Sequence, residues 1–290
     1  RTLHVTVDRL VEWSKRSDFD TKYLEQEFGR QGGWDPIRVP LGEDRYLRLI
    51  GQIARIDEYT RDDQTYGMVI DYKSGGAYVT AQDVYYGLKL QLMTYLLALE
   101  SAYGKTHGGS KSPAAVVYSY VKNPKIPADA HISYEDAVSL ANASDAWQNS
   151  GYFSDDIELL THIDYKFLSY GSKRGPYVPI ATKKDLTISS RDLRKVKSTG
   201  EFDIMCRYTN HVMAETGRHF GDGQFPITPC QLNGLSPCTF CDYRTVCRFD
   251  SSRNRYNYLS RLSENDALER MKEVLNDGNN SSEGGENHGC

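Results

Sequence analysis

Apolar positions along the chain change period where glycine and proline cluster. Val7, Leu10 and Val11, then Tyr23, Leu24 and Phe28, keep a helical spacing, which predicts a helix within residues 1–30 that Gly32-Gly33 and Pro36 end. From Tyr46 to Tyr59, and again from Gly67 to Tyr72, the pattern becomes that of strands, with the turn segment TRDDQTYG between them; together they predict a hairpin. Thr80-Ala-Gln-Asp83 has the form of a capping box before a long helix that ends near Gly104. Leu88, Leu92, Tyr95, Leu96 and Leu99 give that helix its apolar stripe. SPAAVVYSYVKNP, Ser112–Pro124, reads as a buried strand with a proline stop.

Further along, residues 133–149 form a candidate helix, and Tyr170–Pro179 is a loop rich in Gly, Lys and Arg. Ser189–Phe220 reads as one long helix, with Gly200 as a point of interruption, and a polar helix is expected near Leu259–Val274. The closing NDGNNSSEGGENHGC is low in complexity and is expected to be disordered. Strands flanked by helices, with one strand after the long helix, indicate a mixed α/β core.

Bulk numbers alter this picture little. The chain has 290 residues, 26% charged and 39% apolar, with a net charge of -4, which is ordinary for a globular protein. Nucleic-acid contact would therefore rest on local basic patches. The longest apolar run, Leu88–Leu99, is broken by Lys89 and Gln91 and is too short to span a bilayer. No signal peptide opens the chain, and a start at Arg1 rather than Met is read as a fragment or processed product. The seven histidines show no H-E-x-x-H spacing and no glycine loop cradles phosphate, so ATP binding is not expected.

Candidate chemistry begins at Val69-Ile70-Asp71-Tyr72-Lys73. Side chains two apart on a strand share a face, so Asp71 and Lys73 point the same way while Tyr72 turns away and leaves its carbonyl nearby. A carboxylate suits Mg²⁺, and a neighbouring lysine can orient water or offset developing charge. Taken alone, D-x-K is more often a surface ion pair. Its context is DVYYGLKLQLMTYLLALE, where Gln91 and Tyr95 lie one helical turn apart on one face.

In order, the chain offers G-x-I-x-R-I-D, then V-I-D-Y-K-S-G, then Y-Y-G-L-x-L-Q-L-x-T-Y-L. This resembles the RecB-type branch of the PD-(D/E)XK nucleases, most closely the C-terminal nuclease domains of AddB (RexB) subunits of bacterial AddAB helicase–nucleases. The likeness runs from about Tyr23 to Asp250 and includes the Q-x-x-x-Y pair and the downstream cysteines. It implies a restriction-endonuclease-like mixed sheet flanked by helices, and hydrolysis of DNA phosphodiesters with Mg²⁺ or Mn²⁺. Asp71 and the Tyr72 carbonyl would hold the metal, Lys73 would position the water, and Gln91 and Tyr95 would brace the site. The family's upstream helical acid matches Glu25 of EQEFG. It also implies a partner AddA-like subunit, trimming of the 5′-terminated strand for recombinational repair, and a cytoplasmic, nucleoid-associated setting.

One family position is altered. The first strand of the family reads G-x-I-D-R-I-D, with its first Asp a metal ligand, whereas this chain has Ala54 there. Asp57, three residues on, faces the other side of a regular strand and is a poor substitute. Losing one strong electrostatic contributor commonly costs roughly a hundredfold or more in rate, so the chain as written is expected to be disabled. Ala54 is either an engineered inactivating substitution or a natural loss; retention of Asp71, Lys73, Gln91 and Tyr95 favours engineering.

Three of the six cysteines lie in CTFCDYRTVC, as C-x₂-C-x₅-C at Cys238, Cys241 and Cys247. The spacing alone reads as metal ligation, with zinc ahead of iron–sulfur. The resemblance reverses that order and implies a 4Fe-4S staple, whose fourth ligand is either upstream of Arg1 or Cys230. Cys206, mid-helix, is expected to be a small buried hydrophobe.

The implied organisation is a nuclease core over 1–225, the cysteine-rich segment over 226–250, a C-terminal helix over 251–276 and a disordered tail over 277–290. Arg244, Arg248 and Tyr243, with the Lys173-Arg174 loop and Lys183-Lys184, are candidate DNA contacts. Two other functions compete: a non-catalytic DNA-binding scaffold stapled by the metal site, and a CRISPR-associated RecB-like nuclease.

Overall fold

Residues 2–106, 111–121, 133, 136 and 147–280 are described by the computed structural model. Helix α1 (Thr2–Ser14) is followed by strand β1 (Asp20–Phe28), so the helix expected within residues 1–30 ends at Ser14. β1 is solvent-facing along most of its length. Such a strand has no need of inward–outward alternation, and Tyr23, Leu24 and Phe28 mimic a continuing helical stripe.

The expected hairpin is present in two parts. β2 (Ile37–Gly42) and β3 (Arg45–Leu49) form their own two-stranded sheet, and β4 (Gly51–Arg61) pairs with β5 (Gln64–Lys73). The β4–β5 turn is only Asp62-Asp63, both at positive φ (50° and 63°), the two-residue geometry whose twist matches the flanking strands.

Thr80 forms the expected capping box with Asp83, each side chain taking the other's backbone N–H. The helix it starts, α2 (Ala81–Tyr85), is a short one: Gly87 at φ 70° turns the chain, and α3 (Gln91–Thr106) starts afresh. β6 (Lys111–Tyr120) is the strand expected from Ser112 onward. The helix expected over 133–149 falls mostly outside the described residues.

Then come β7 (Ser150–Ser154), α4 (Ile157–Ile163), a 3-10 turn at Ser190–Lys195, β8 (Val196–Lys197) and α5 (Thr199–Gly221). The single helix expected over Ser189–Phe220 is thus a turn, a short strand and a helix, and Gly200 sits in the first turn of α5 without breaking it. β9 (Cys230–Gln231), α6 (Arg244–Cys247) and β10 (Asn257–Tyr258) precede α7 (Glu264–Asn280), which begins five residues later than expected and outlasts Val274.

The main sheet has the order β1-β4-β5-β6-β7-β8. β5 and β6 are parallel, as are β7 and β8, and the remaining neighbours are antiparallel, so the sheet is mixed. It belongs to a unit made of Arg1–Ile37, Ile50–Val79 and Leu92–Phe202. On one face Met68 and Ile70 of β5 join Trp13, Phe19, Val117, Phe153, Leu160 and Phe167 in the buried core. α1 is tied there by Trp13, whose Nε1 donates to the Ile163 carbonyl, and by Arg16, which grips buried Asp164 with nitrogens 2.6–2.9 Å from the carboxylate. On the other face α3 packs so closely that a Cβ at Gly67 would come within 2.9 Å of Leu99 Cδ2.

The second unit is Arg38–Leu49, Thr80–Gln91 and Asp203–Cys290. Within it α2 docks on the start of α7: Ala81 N–H donates to Glu264, and Leu262 N–H donates to Gln82. Tyr208 of α5 donates to the Tyr85 carbonyl, and Cys206 is buried, as expected. Among the described residues no helix is long and apolar enough to cross a membrane.

Candidate active site

The β4–β5 ladder ends at the pair Arg55↔Ile70, and Ala54 and Asp71 are the next residue on each strand. Beyond that point β4 continues paired to β1, and β5 continues paired to β6 as far as Lys73↔Tyr120. The two strands therefore part like a fork, with Ala54 on one prong and Asp71 on the other. The pairs Leu24↔Arg55 and Gln26↔Ile53 bracket Glu25 opposite Ala54. Glu25, Ala54 and Asp71 are thus successive positions across three neighbouring strands.

Asp71 is buried and Lys73 half-buried, and the ammonium stands 2.7 Å from Asp71 Oδ2. That oxygen has no hydrogen bond of good geometry in spite of its burial. The Lys73 ammonium offsets its charge, and a buried carboxylate oxygen is also a hard donor that a divalent cation can take. Tyr72 turns to the opposite face, packing against the core there. Glu25, expected on a helix, lies on strand β1 instead, exposed and at φ 49°. A non-glycine residue held there inside a strand stores of order 1 kcal/mol or more of strain, a common mark of functional positions.

Asp57 does not take Ala54's place. It pairs across β4–β5 with Met68, so it belongs to the core face, and Arg55 binds it with two hydrogen bonds of 2.7 Å. The Arg55 guanidinium also lies 5.9 Å from the Trp13 ring centroid and 3.5 Å from the Tyr72 hydroxyl. Burial opposes the charge on Arg55, but the hydrogen bonds and charge of Asp57 outweigh it and raise the arginine's pKa. This clamp backs the fork from behind. Sequence reasoning passed over it, although its i, i+2 spacing repeats that of Asp71 and Lys73.

Gln91 is exposed at the first position of α3, and Tyr95 is half-buried one turn later. Among the candidate DNA contacts, Lys173, Lys183, Lys184, Tyr243, Arg244 and Arg248 are exposed. Arg174 differs, because its guanidinium is held by fully buried Asp192 through contacts of 2.7–3.1 Å. Its guanidinium is thus engaged by the fold, unlike the exposed cations around it.

Cys238 is half-buried, Cys241 and Cys247 are exposed, and all three thiols are free. Cys230 is 3% exposed on β9 and is not among the free thiols. Among the described residues no three His, Cys, Asp or Glu side chains converge tightly enough to hold a metal ion. Three free cysteine thiols are the donor type of an iron–sulfur cluster, which takes four. At the fork, the Asp71 carboxylate is a hard donor of the kind a divalent cation takes.

Comparison with known proteins agrees with this geometry. A profile of the PD-(D/E)XK nuclease superfamily matches residues 1–248. The B subunit of the ATP-dependent helicase/deoxyribonuclease of Listeria monocytogenes serotype 4a (strain HCC23) is 33% identical over 264 residues, covering 90% of this chain and 22% of the relative. Proteins of the same name from Clostridioides difficile (strain 630) and Bacillus cereus (strain AH187) are 29% and 30% identical over 265 and 275 residues. The chain spans 22–23% of the length of these relatives. With a sheet fork carrying Asp71 and Lys73, and a profile match over most of its length, the chain belongs to the PD-(D/E)XK nuclease superfamily.

Proposed function

We propose that this chain is the nuclease domain of an AddB-like subunit, built to hydrolyse DNA phosphodiesters with Mg²⁺ or Mn²⁺. The observation that carries the reading is the fork itself: buried Asp71 at the point where β4 and β5 part, with the Lys73 ammonium 2.7 Å from its carboxylate. A divalent cation bound there would polarise the phosphoryl oxygen and lower the pKa of a bound water. Asp71, the Tyr72 carbonyl and Glu25 are the residues that would hold it. Lys73 stands beside Asp71, where it can orient the water and offset charge on the phosphate. Gln91 and Tyr95 brace the substrate backbone.

The resemblance extends the reading to the 5′-terminated strand, to end processing for recombinational repair and to an AddA-like partner that supplies the motor. It also extends to a 4Fe-4S cluster on Cys238, Cys241 and Cys247, with its fourth ligand either upstream of Arg1 or Cys230. Ala54 supports a second reading, a DNA-holding module that has lost its chemistry.

End-labelled linear DNA with Mg²⁺ separates the two. Ala54→Asp is expected to raise the cleavage rate roughly a hundredfold, and Asp71→Asn in that background to remove the gain. If neither the chain nor Ala54→Asp cuts, the nuclease reading fails and the DNA-holding module replaces it.

A further inference from the structure

Tyr118 has no part in the site as expected from the sequence, yet it is the residue paired with Asp71 across the parallel β5–β6 ladder. Residues directly opposite share a face, so Tyr118 extends the row of Glu25, Ala54 and Asp71 onto a fourth strand. Its side chain is 5% exposed, and the Lys73 ammonium lies over its ring, 5.3 Å from the centroid. The same ammonium is 2.7 Å from Asp71 Oδ2. We propose that Tyr118 is the positioning residue for Lys73, its ring holding the ammonium beside Asp71 at the mouth of the fork; its bearing on catalysis rests on the nuclease reading above.

The chemistry favours a ring in this place. Lysine carries its charge on a flexible four-carbon stem, and an ion pair with one carboxylate fixes distance but not direction. A ring face attracts the ammonium through its quadrupole without accepting an N–H in a fixed geometry. The ring therefore does not compete with a water or a phosphate oxygen for the ammonium protons. The strand pairing supplies rigidity, because the ring is anchored on the strand next to the one carrying Asp71 and Lys73. A purely structural tyrosine at this position would support the core but would leave Lys73 unaffected when its ring is removed.

Two measurements test this. In the first, the chain is labelled with ¹³C at the lysine ε carbons, and the Lys73 signal is identified by its loss in Lys73→Met. The Lys73 ε protons are expected upfield of the exposed lysines, to stay there in Tyr118→Phe, and to rejoin the others in Tyr118→Leu. An unshifted Lys73 signal in the parent, or an unchanged one in a folded Tyr118→Leu, overturns the proposal. In the second, Tyr118→Leu in the Ala54→Asp background is expected to lower kcat roughly tenfold, with KM for DNA within about twofold and Tyr118→Phe near the parent. Adding Tyr118→Leu to Lys73→Met is expected to cost nothing more, and losses that multiply would show that Tyr118 acts independently of Lys73. If the Ala54→Asp parent does not cut at all, the nuclease reading is lost, and the ¹³C measurement still decides the place of Tyr118.

Discussion

Asp57 and Asp71, on the two neighbouring strands of one hairpin, face opposite sides of the sheet. Asp57 shares the core face with Met68 and is clamped by Arg55, whereas Asp71 lies one step beyond the last β4–β5 pair, on the face of Lys73. The two carboxylates should therefore fail in different ways. Asp57→Ala leaves the buried Arg55 charge without its partner, a change that costs about 3–5 kcal/mol in comparable buried pairs. Asp71→Asn breaks the ion pair with partly exposed Lys73 but leaves no fully buried charge alone, and should cost no more than about 1 kcal/mol. Chemical denaturation of both variants decides the matter. Equal losses would mean that Asp71 is a structural acid like Asp57.

Arg174 and Lys173 are adjacent in sequence and differ in the same sense. Asp192, fully buried, accepts from the Arg174 guanidinium and from the Ala181 N–H, with Lys195 Nζ 3.7 Å away. Burial pushes the Asp192 pKa up, but these partners outweigh it and hold the carboxyl below its usual 3.8. Its contribution to stability is present above pH 3.8 and fades as the pH falls through the lower folded value. Arg174→Met should cost about 3–5 kcal/mol, and exposed Lys173→Met no more than about 0.5 kcal/mol. Lys173→Met should instead weaken DNA binding and make its salt dependence shallower. Thermal melts and filter binding read the two effects separately. An Arg174→Met protein with the parent's Tm would show that the pairing with Asp192 adds nothing to stability.

Local chemistry made some of this structure legible in advance. Thr80 and Asp83 announce a helix start because a capping box is satisfied within four residues, and VIDYK announces its strand because alternation places Asp71 and Lys73 together. The same alternation sets Asp57 on the face away from Ala54. What was not legible depends on partners distant in sequence. β1 looked helical because an exposed strand need not alternate, and its identity comes from its register against β4. Arg174 looked like a surface cation because its partner, Asp192, is 18 residues away. Tyr118 is one tyrosine in VVYSY until the parallel ladder sets it beside Asp71, and a parallel register leaves no mark in local sequence.

The Asp62-Asp63 turn offers a gain rather than a loss. Both residues are at positive φ, which costs an L-residue energy that glycine avoids. Asp63→Gly should make this two-residue turn closer to the preferred Asp-Gly type and add about 0.5–1 kcal/mol of stability. The turn is ten residues from Lys73 along β5, so Mg²⁺-dependent cleavage by the Ala54→Asp protein should be unaffected. A drop in denaturation midpoint for Asp63→Gly would contradict the turn geometry.

His211 provides the clearest pH signature of the second unit. It lies on α5 with its ring tilted against Tyr208, 5.8 Å between centroids, and burial holds its pKa below the usual 6.5; Arg218 adds to that shift and Glu215 opposes it. A base with a depressed folded pKa is more easily protonated in the unfolded chain, so acid favours unfolding. Stability should hold above pH 6.5, fall as the pH drops from 6.5 to the folded pKa, and level off below it. Other histidines titrate in the same range, so the decisive quantity is the difference between the parent and His211→Gln across a pH series. That difference should diminish with falling pH, because the variant escapes the cost of protonating a buried imidazole. A difference independent of pH between 5 and 8 would show that His211 titrates as it does in the unfolded chain.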